Sequence, residues 1–450
     1  MPDTPVAALI LAAGLGTRMK SVRPKVMHPL AGQPMVAHLL DTVGALAPER
    51  VTVVVGLGME EVAAAVAPHS VCVQPERLGT GDAVKAGRGE LEGFAGPVLI
   101  LYGDTPLLRA GTMRAAADAC AGGAAVVVVG FRPTDGQEYG RLVTDATGVL
   151  TKIVEAKDAT PEQLEIGLCN SGLMAISGEH LFALLDQIGT DNAKGEYYLT
   201  DIVALAYGKG LETAVIVAEE TELMGINSRG ELAVAEVVAQ TELRARAMAS
   251  GATLVDPSSV WLAHDTVLGQ DVTIHPNVVF GPGVTVGDDA EIKSFSHLEG
   301  ATVAVGAVIG PFARLRPGAD IGVGARVGNF VEVKNAALGE GAKANHLSYI
   351  GDATVGAEAN IGAGTITCNY DGFDKHRTAI GANAFIGSNT ALVAPVSIGD
   401  GAIVAAGSTI GRDVEADALA IERASQEEKP GWATSFRQQR RAGKPKKVKG

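Results

Sequence analysis

Arg18 and Lys25 are two cations seven residues apart, behind the turn Gly14-Leu15-Gly16 and with Pro24 directly before the lysine. They follow the apolar run Val6 to Ala13, so LILAAGLGTRMKSVRPK reads as a strand opening into a glycine-rich turn. With no Cβ in the way, backbone N–H groups in such a turn can approach phosphate oxygens. Met19 stands where a P-loop or a dinucleotide fingerprint needs glycine, so both motifs fail. What is left is G-x-G-T-R-M with Pro24-Lys25 behind it, which is either a turn with two solvated cations or a nucleoside triphosphate site, where an arginine such as Arg18 can grip the leaving pyrophosphate while a lysine such as Lys25 neutralises the reacting phosphorus. Asp104, just past the strand-like LILYGD, lies where parallel sheets bind ligands and offers oxygen to a hard cation such as magnesium.

A second set of polar residues, Lys334, His346, Tyr349, Asn360, Asn369 and Tyr370, interrupts an otherwise aliphatic and small-residue stretch. Acyl transfer to an amine needs a base, and histidine titrates near working pH, which makes His346 the candidate. Arg316 and Lys334, three six-residue steps apart, could jointly hold a phosphate, with Tyr349 and Asn360 as neutral donors. His264, His275 and His297 lie in the same region with no evident role, so a solvated corner histidine is the plain alternative for His346.

Different elements must position the two sets. In residues 1–226, VAALILAA, RVTVVVG, PVLILYGD, AAVVVVGF and TAVIVAE read as strands, separated by helical patterns such as PMVAHLLDTVGALA. That alternation predicts an α/β, Rossmann-like domain with a mostly parallel sheet. Residues 227–250, alanine- and charge-rich and free of proline, read as a helical linker. From 251 to 450 aliphatic residues recur every six positions, as in Ile274, Phe280, Val286 and Ile292, and later Ile380, Ile386, Leu392, Ile398, Val404 and Ile410. Hexapeptide periodicity predicts a left-handed parallel β-helix, one side chain per side of a triangular coil, ending in a C-terminal arm. The phase slips before Ile309, where the prism is expected to be about one coil short, and CNYDGFDKHRTA is too long for one side and must loop out.

Composition narrows the function classes. A chain of 450 residues has room for two domains, and a formal charge of −14 argues against a general nucleic-acid partner. The four cysteines have no paired spacing, which argues against disulfide and zinc scaffolds and fits a cytoplasmic protein. No apolar run is long enough for a membrane span. Arg437 to Gly450 carries seven basic and no acidic residues, either a solvated tail or an arm toward a phosphate-bearing ligand or a neighbouring subunit.

G-x-G-T-R-M with Pro24-Lys25 matches the sugar-nucleotide pyrophosphorylase signature, and QPERLGTGDA, EYGRL, IVEAKD, CNSGLMA and GIN follow it. With GPFARLRPGA, GNFVEVK, NHLSYIGD and NIGAGTITCNYDG, the whole chain resembles the bacterial bifunctional N-acetylglucosamine-1-phosphate uridyltransferases / glucosamine-1-phosphate acetyltransferases. The resemblance implies that Leu11, Ala12, Ala13, Gly14, Lys25, Gln74, Gly79, Thr80, Tyr102, Gly103 and Asp104 line the uridine nucleotide. It implies that Gly140, Glu155, Asn170 and Asn227 surround the N-acetylglucosamine, and that Asp104 and Asn227 bind Mg2+. On the second half it implies glucosamine-1-phosphate at Arg316, Lys334, Tyr349 and Asn360, with His346 as base. Acetyl-CoA would meet Ala363, Asn369, Tyr370, Ser388, Ala406 and Arg423, although Glu422 stands where the family has a small residue. Family members are homotrimers with acetyl-transfer sites shared between subunits, and their products feed cell-wall and lipopolysaccharide synthesis. Two rival readings keep a catalytic first half with a purely oligomerising β-helix, or make the chain a nucleotide sensor on a scaffold. CoA-dependent thiol release separates the first from a bifunctional enzyme, and UTP binding without pyrophosphate release would mark the second.

Overall fold

The computed structural model describes residues 5–134 and 139–442. The chain forms two compact units, Met1–Ala249 with Trp261–Thr266, and Ser250–Val260 with Val267–Gly450.

The first unit is built on a sheet whose main strands are β1 (Ala7–Leu11), β2 (Arg50–Gly56), β3 (Ser70–Gln74), β4 (Pro97–Tyr102), β5 (Val126–Phe131), β6 (Cys169–Ser177) and β7 (Thr213–Val217). Their order is β7-β5-β6-β4-β1-β2-β3, parallel throughout except for β6, which runs antiparallel to both neighbours. Ala7, Leu9 and Leu11 join a core with Ile100 and Val128, whereas Ala8, Ile10 and Ala12 join another with Leu101 and Val129. Burial on both faces is why these strands are continuous apolar runs in the sequence. Strand β6 escaped the sequence reading because its register shifts between Asn170 and Met174, where Gly172 takes φ +87°. The helix Arg229–Ala249 belongs to this unit, with Ala235 and Ala239 packed against Leu30, Met35 and Ile226.

The second unit is a left-handed β-helix whose short parallel strands form three sheets of ten, eight and eight strands. One inward column runs Ile274, Ile292, Ile309, Val327, Ala344, Ile361, Ile386 and Val404. The ladder runs without a gap through the phase slip before Ile309. Val303 follows Leu298 by five residues and still pairs with Val286 on one side and Ile321 on the other. The slip is a corner shortened by one residue, turned by Gly300 at φ +52°, and the ladder passes through intact. The long run does leave the coil, as a loop between Ile366–Cys368 and Thr378–Ile380, and Ile380 still stacks beyond Val355.

Of the basic terminal stretch, residues 443–450 lie outside the described part; Trp432–Ala442 is an exposed helix in which Trp432 stacks on Phe436 at 5.1 Å. Among the described residues no helix is long and apolar enough to cross a membrane.

Candidate active sites

The first site lies past the C-terminal ends of β1 and β4. After β1 the chain turns at Gly16, φ +61°, where a Cβ would sit 2.5 Å from that of Lys25, so only glycine lets the lysine pass. Lys25 then reaches inward: its ammonium is hydrogen-bonded to Asp104 Oδ2 and, at 3.0 Å, to Asn227 Oδ1. Asp104 and Asn227 are held together by their backbones, because Ile226 N–H donates to the Asp104 carbonyl at 2.9 Å. The Glu231 carboxylate accepts from the Asn227 and Ser228 N–H groups at 2.7 Å each, capping the helix that follows. A carboxylate and an amide oxygen thus converge on one cation-sized point, leaving the other positions to water and phosphate, as a small hard divalent cation requires.

Three hollows adjoin here and share Tyr102. One of about 540 Å³ is lined by Arg18, Asp104 and Asn227. One of about 220 Å³ is lined by Leu11 to Gly14, Lys25, Gln74, Gly79, Thr80 and Asp104. One of about 280 Å³ is lined by Thr80, Glu155 and Asn170. Gly103 lies beneath them, its N–H on the Leu11 carbonyl at 3.0 Å. The Gly140 carbonyl accepts from Asn170 N–H at 2.8 Å, and a Cβ there would approach Glu155 at 3.6 Å. Burial pushes the Tyr102 hydroxyl up, helped by Asp104 and Glu155, so it stays a neutral donor. Burial likewise raises Glu155, against the opposing hydrogen bond from Thr200.

Gln74 lines the middle hollow with its amide nitrogen already engaged. It is 4% exposed, and its amide donates to the Gly79 carbonyl at 3.2 Å and to Asp82 at 2.8 Å. Sequence reasoning also missed the segment around Glu196 and Tyr197, which closes over Gly79: a Cβ there would meet the Tyr197 carbonyl at 2.6 Å. Its one signal is Gly195 among polar residues in TDNAKGEYYLTD.

In the second unit, coil register assembles one edge from residues far apart in sequence. Leu347 N–H donates to Asn329 O, Gly364 to His346 O, Asn389 to Ala363 O and Gly407 to Ser388 O, while Arg423 Nη1 reaches Ala406 O at 2.6 Å. Asn329, His346, Ala363, Ser388 and Ala406 therefore occupy one column on successive coils, closed by Arg423. His346 is exposed, with Nδ1 2.8 Å from Asn329 Oδ1. An amide oxygen there can accept Nδ1–H, and in that tautomer the Nε2 lone pair is the one open to a proton. Glu422 is turned onto the last coil, its carboxylate near Thr409 N–H at 3.4 Å.

Arg316 and Lys334 follow Leu315 and Val333, which pair on successive coils, and Lys334 pairs in turn with Gly351. Lys334 is close enough to Lys375 of the looped-out run to lower its pKa. Two basic side chains brought near one another suit a phosphate, and Lys375 was not foreseen. Tyr349 lies 3.5 Å from Asn369, whose amide is buried and bonded to Asp352; Tyr370 is exposed. Asn360 pairs with Lys343, three positions before His346 in register, so it sits at the other end of that face.

Residues 8–185 match the MobA-like NTP transferase domain, and residues 265–300 and 377–412 match the bacterial transferase hexapeptide model. A curated relative from Rhodospirillum rubrum, named bifunctional protein GlmU, is 63% identical over 96% of this chain and 98% of its own length. One of the same name from Paramagnetospirillum magneticum is 58% identical over 99% of this chain and 100% of its own.

Proposed function

The chain belongs to the bifunctional GlmU family, and on that premise we propose that it acetylates glucosamine-1-phosphate with acetyl-CoA and then joins the product to UTP, giving UDP-N-acetylglucosamine and pyrophosphate. The observation that carries this is the pairing of a phosphate-gripping cluster, Arg18, Lys25, Asp104 and Asn227, with a separate base, His346, on an edge of the β-helix.

In uridyl transfer the sugar phosphate attacks the α-phosphorus in line, and no protein nucleophile takes part. Rate must come from placement and charge. Lys25 neutralises the reacting phosphate, Arg18 holds the departing pyrophosphate, and Glu155 and Asn170 hold the sugar. Asp104 and Asn227 would hold Mg2+, which supplies charge neutralisation across the phosphates when bound. In acetyl transfer His346 Nε2 takes a proton from the sugar amine, the amine attacks the thioester carbonyl, and the proton leaves with the CoA thiol. Arg316, Lys334 and Tyr349 hold the sugar phosphate, and the column from Ala363 to Ala406 with Arg423 seats acetyl-CoA, which Asn369 supports from within and Tyr370 contacts.

Asn360 completes this site from a neighbouring copy in a trimer. Phe295, Phe312 and Phe330 stack at 4.9 and 5.2 Å down the same corner, each with positive φ and 53, 45 and 57% exposed. A left-handed backbone costs a bulky residue roughly 1–2 kcal/mol, a cost that burial against a second copy offsets. The four free cysteines and the substrates UTP and acetyl-CoA fit the cytoplasm. The reading is tested by supplying glucosamine-1-phosphate, acetyl-CoA, UTP and Mg2+, each omitted in turn. UDP-N-acetylglucosamine should form only from the complete mixture.

A further inference from the structure

We infer that Arg77 is a positioning residue for the nucleotide, acting through the Ala13 carbonyl; the inference rests on the uridyl-transfer reading above. Arg77 Nε donates to Ala13 O at 2.8 Å. The guanidinium lies against Gly56, where a Cβ would clash first with Nη2 and come within 3.1 Å of Cζ and 3.2 Å of that same carbonyl. The end of β1, the end of β2 and the loop after β3 therefore meet on one planar cation. On its other side Arg77 lines the hollow formed by Leu11 to Gly14, Gln74, Gly79 and Thr80, and it is exposed there.

Chemistry at this end of the hollow calls for donors, because uridine presents two ring carbonyls and ribose hydroxyls. The amide donors of Gln74 are already engaged by Gly79 and Asp82. The guanidinium keeps further N–H groups after its bond to Ala13, in a fixed plane that lysine cannot reproduce. It thus holds the turn that faces the triphosphate and presents donors to the nucleoside, while Arg18 and Lys25 act on the phosphates.

The test is steady-state kinetics of the full-length protein. Arg77→Ala should raise KM for UTP about tenfold, the scale of one charge-assisted hydrogen bond. Its kcat should stay within twofold, with KM for N-acetylglucosamine-1-phosphate and the acetyl-transfer rate unchanged. Arg77→Lys should not restore KM. Gly56→Ala, which displaces the guanidinium without removing it, should reproduce the defect, and the double variant should be no worse than either single one. An unchanged KM for UTP in Arg77→Ala, a parallel rise in both KM values, or full multiplication of the two defects would overturn the inference. Absence of uridyl transfer in the unaltered protein would instead overturn the reading beneath it, and the inference with it.

Discussion

On the proposed mechanism Arg18 meets charge that develops as pyrophosphate leaves, so its loss should be felt in the transition state. Arg18→Ala is expected to lower kcat for uridyl transfer by about 100- to 1,000-fold, with KM for UTP changed far less, as read by pyrophosphate release. An unchanged kcat would remove it from the mechanism. On the proposed mechanism Asn329 acts one step back from the chemistry, its Oδ1 lying 2.8 Å from His346 Nδ1 and favouring a proton there. Asn329→Ala should lower kcat for acetyl transfer about tenfold with both KM values within twofold, measured by CoA thiol release. Arg18, Lys25, Asp104 and His346 stood out as candidates in the sequence because each is a charged or titratable residue beside an apolar run or repeat. Asn329 was not, since it stands 17 residues before His346 and only coil register brings them together. Arg77 and Lys375 were hidden for a similar reason: both sit in polar loops where a cation is ordinary, and their partners are distant in sequence.

The loop after Cys368 is held to the β-helix by Asp352, which accepts from Asn335 at 2.6 Å and from Asn369. Burial pushes the Asp352 carboxyl up, but the two amides, with Lys334 and Lys375, more than offset this and hold it below its usual range. A carboxyl depressed on folding stabilises above its unfolded pKa of about 4, and that contribution is lost as pH falls through the folded value. Asp352→Ala should therefore cost about 2 kcal/mol at pH 7 and flatten the acid limb of the thermal-stability profile. An unaltered profile would show that the carboxylate does not anchor the loop. At this scale the sequence was readable where one period persists, as in β1, β4 and the late coils. It was opaque at β6, where a bulge breaks the alternation, and at the slip before Ile309 it showed the change of phase but not that one corner is a residue shorter.

The chain carries two compact units, and the β-helix edge that carries His346 also carries the phenylalanine column. Phe312→Asn removes an aromatic contact while placing a residue that suits positive φ, so the isolated chain should not be destabilised. In sedimentation the variant is expected to shift from trimer toward monomer and to lose acetyl transfer in proportion while keeping uridyl transfer; a variant that stays trimeric would place the subunit contact elsewhere. The most direct test of the whole account measures both half-reactions separately in Arg18→Ala and His346→Ala. Each variant should lose one activity and keep the other, and mixing them should restore conversion of glucosamine-1-phosphate to UDP-N-acetylglucosamine. If both activities fall together in either variant, the account of two separate sites is contradicted.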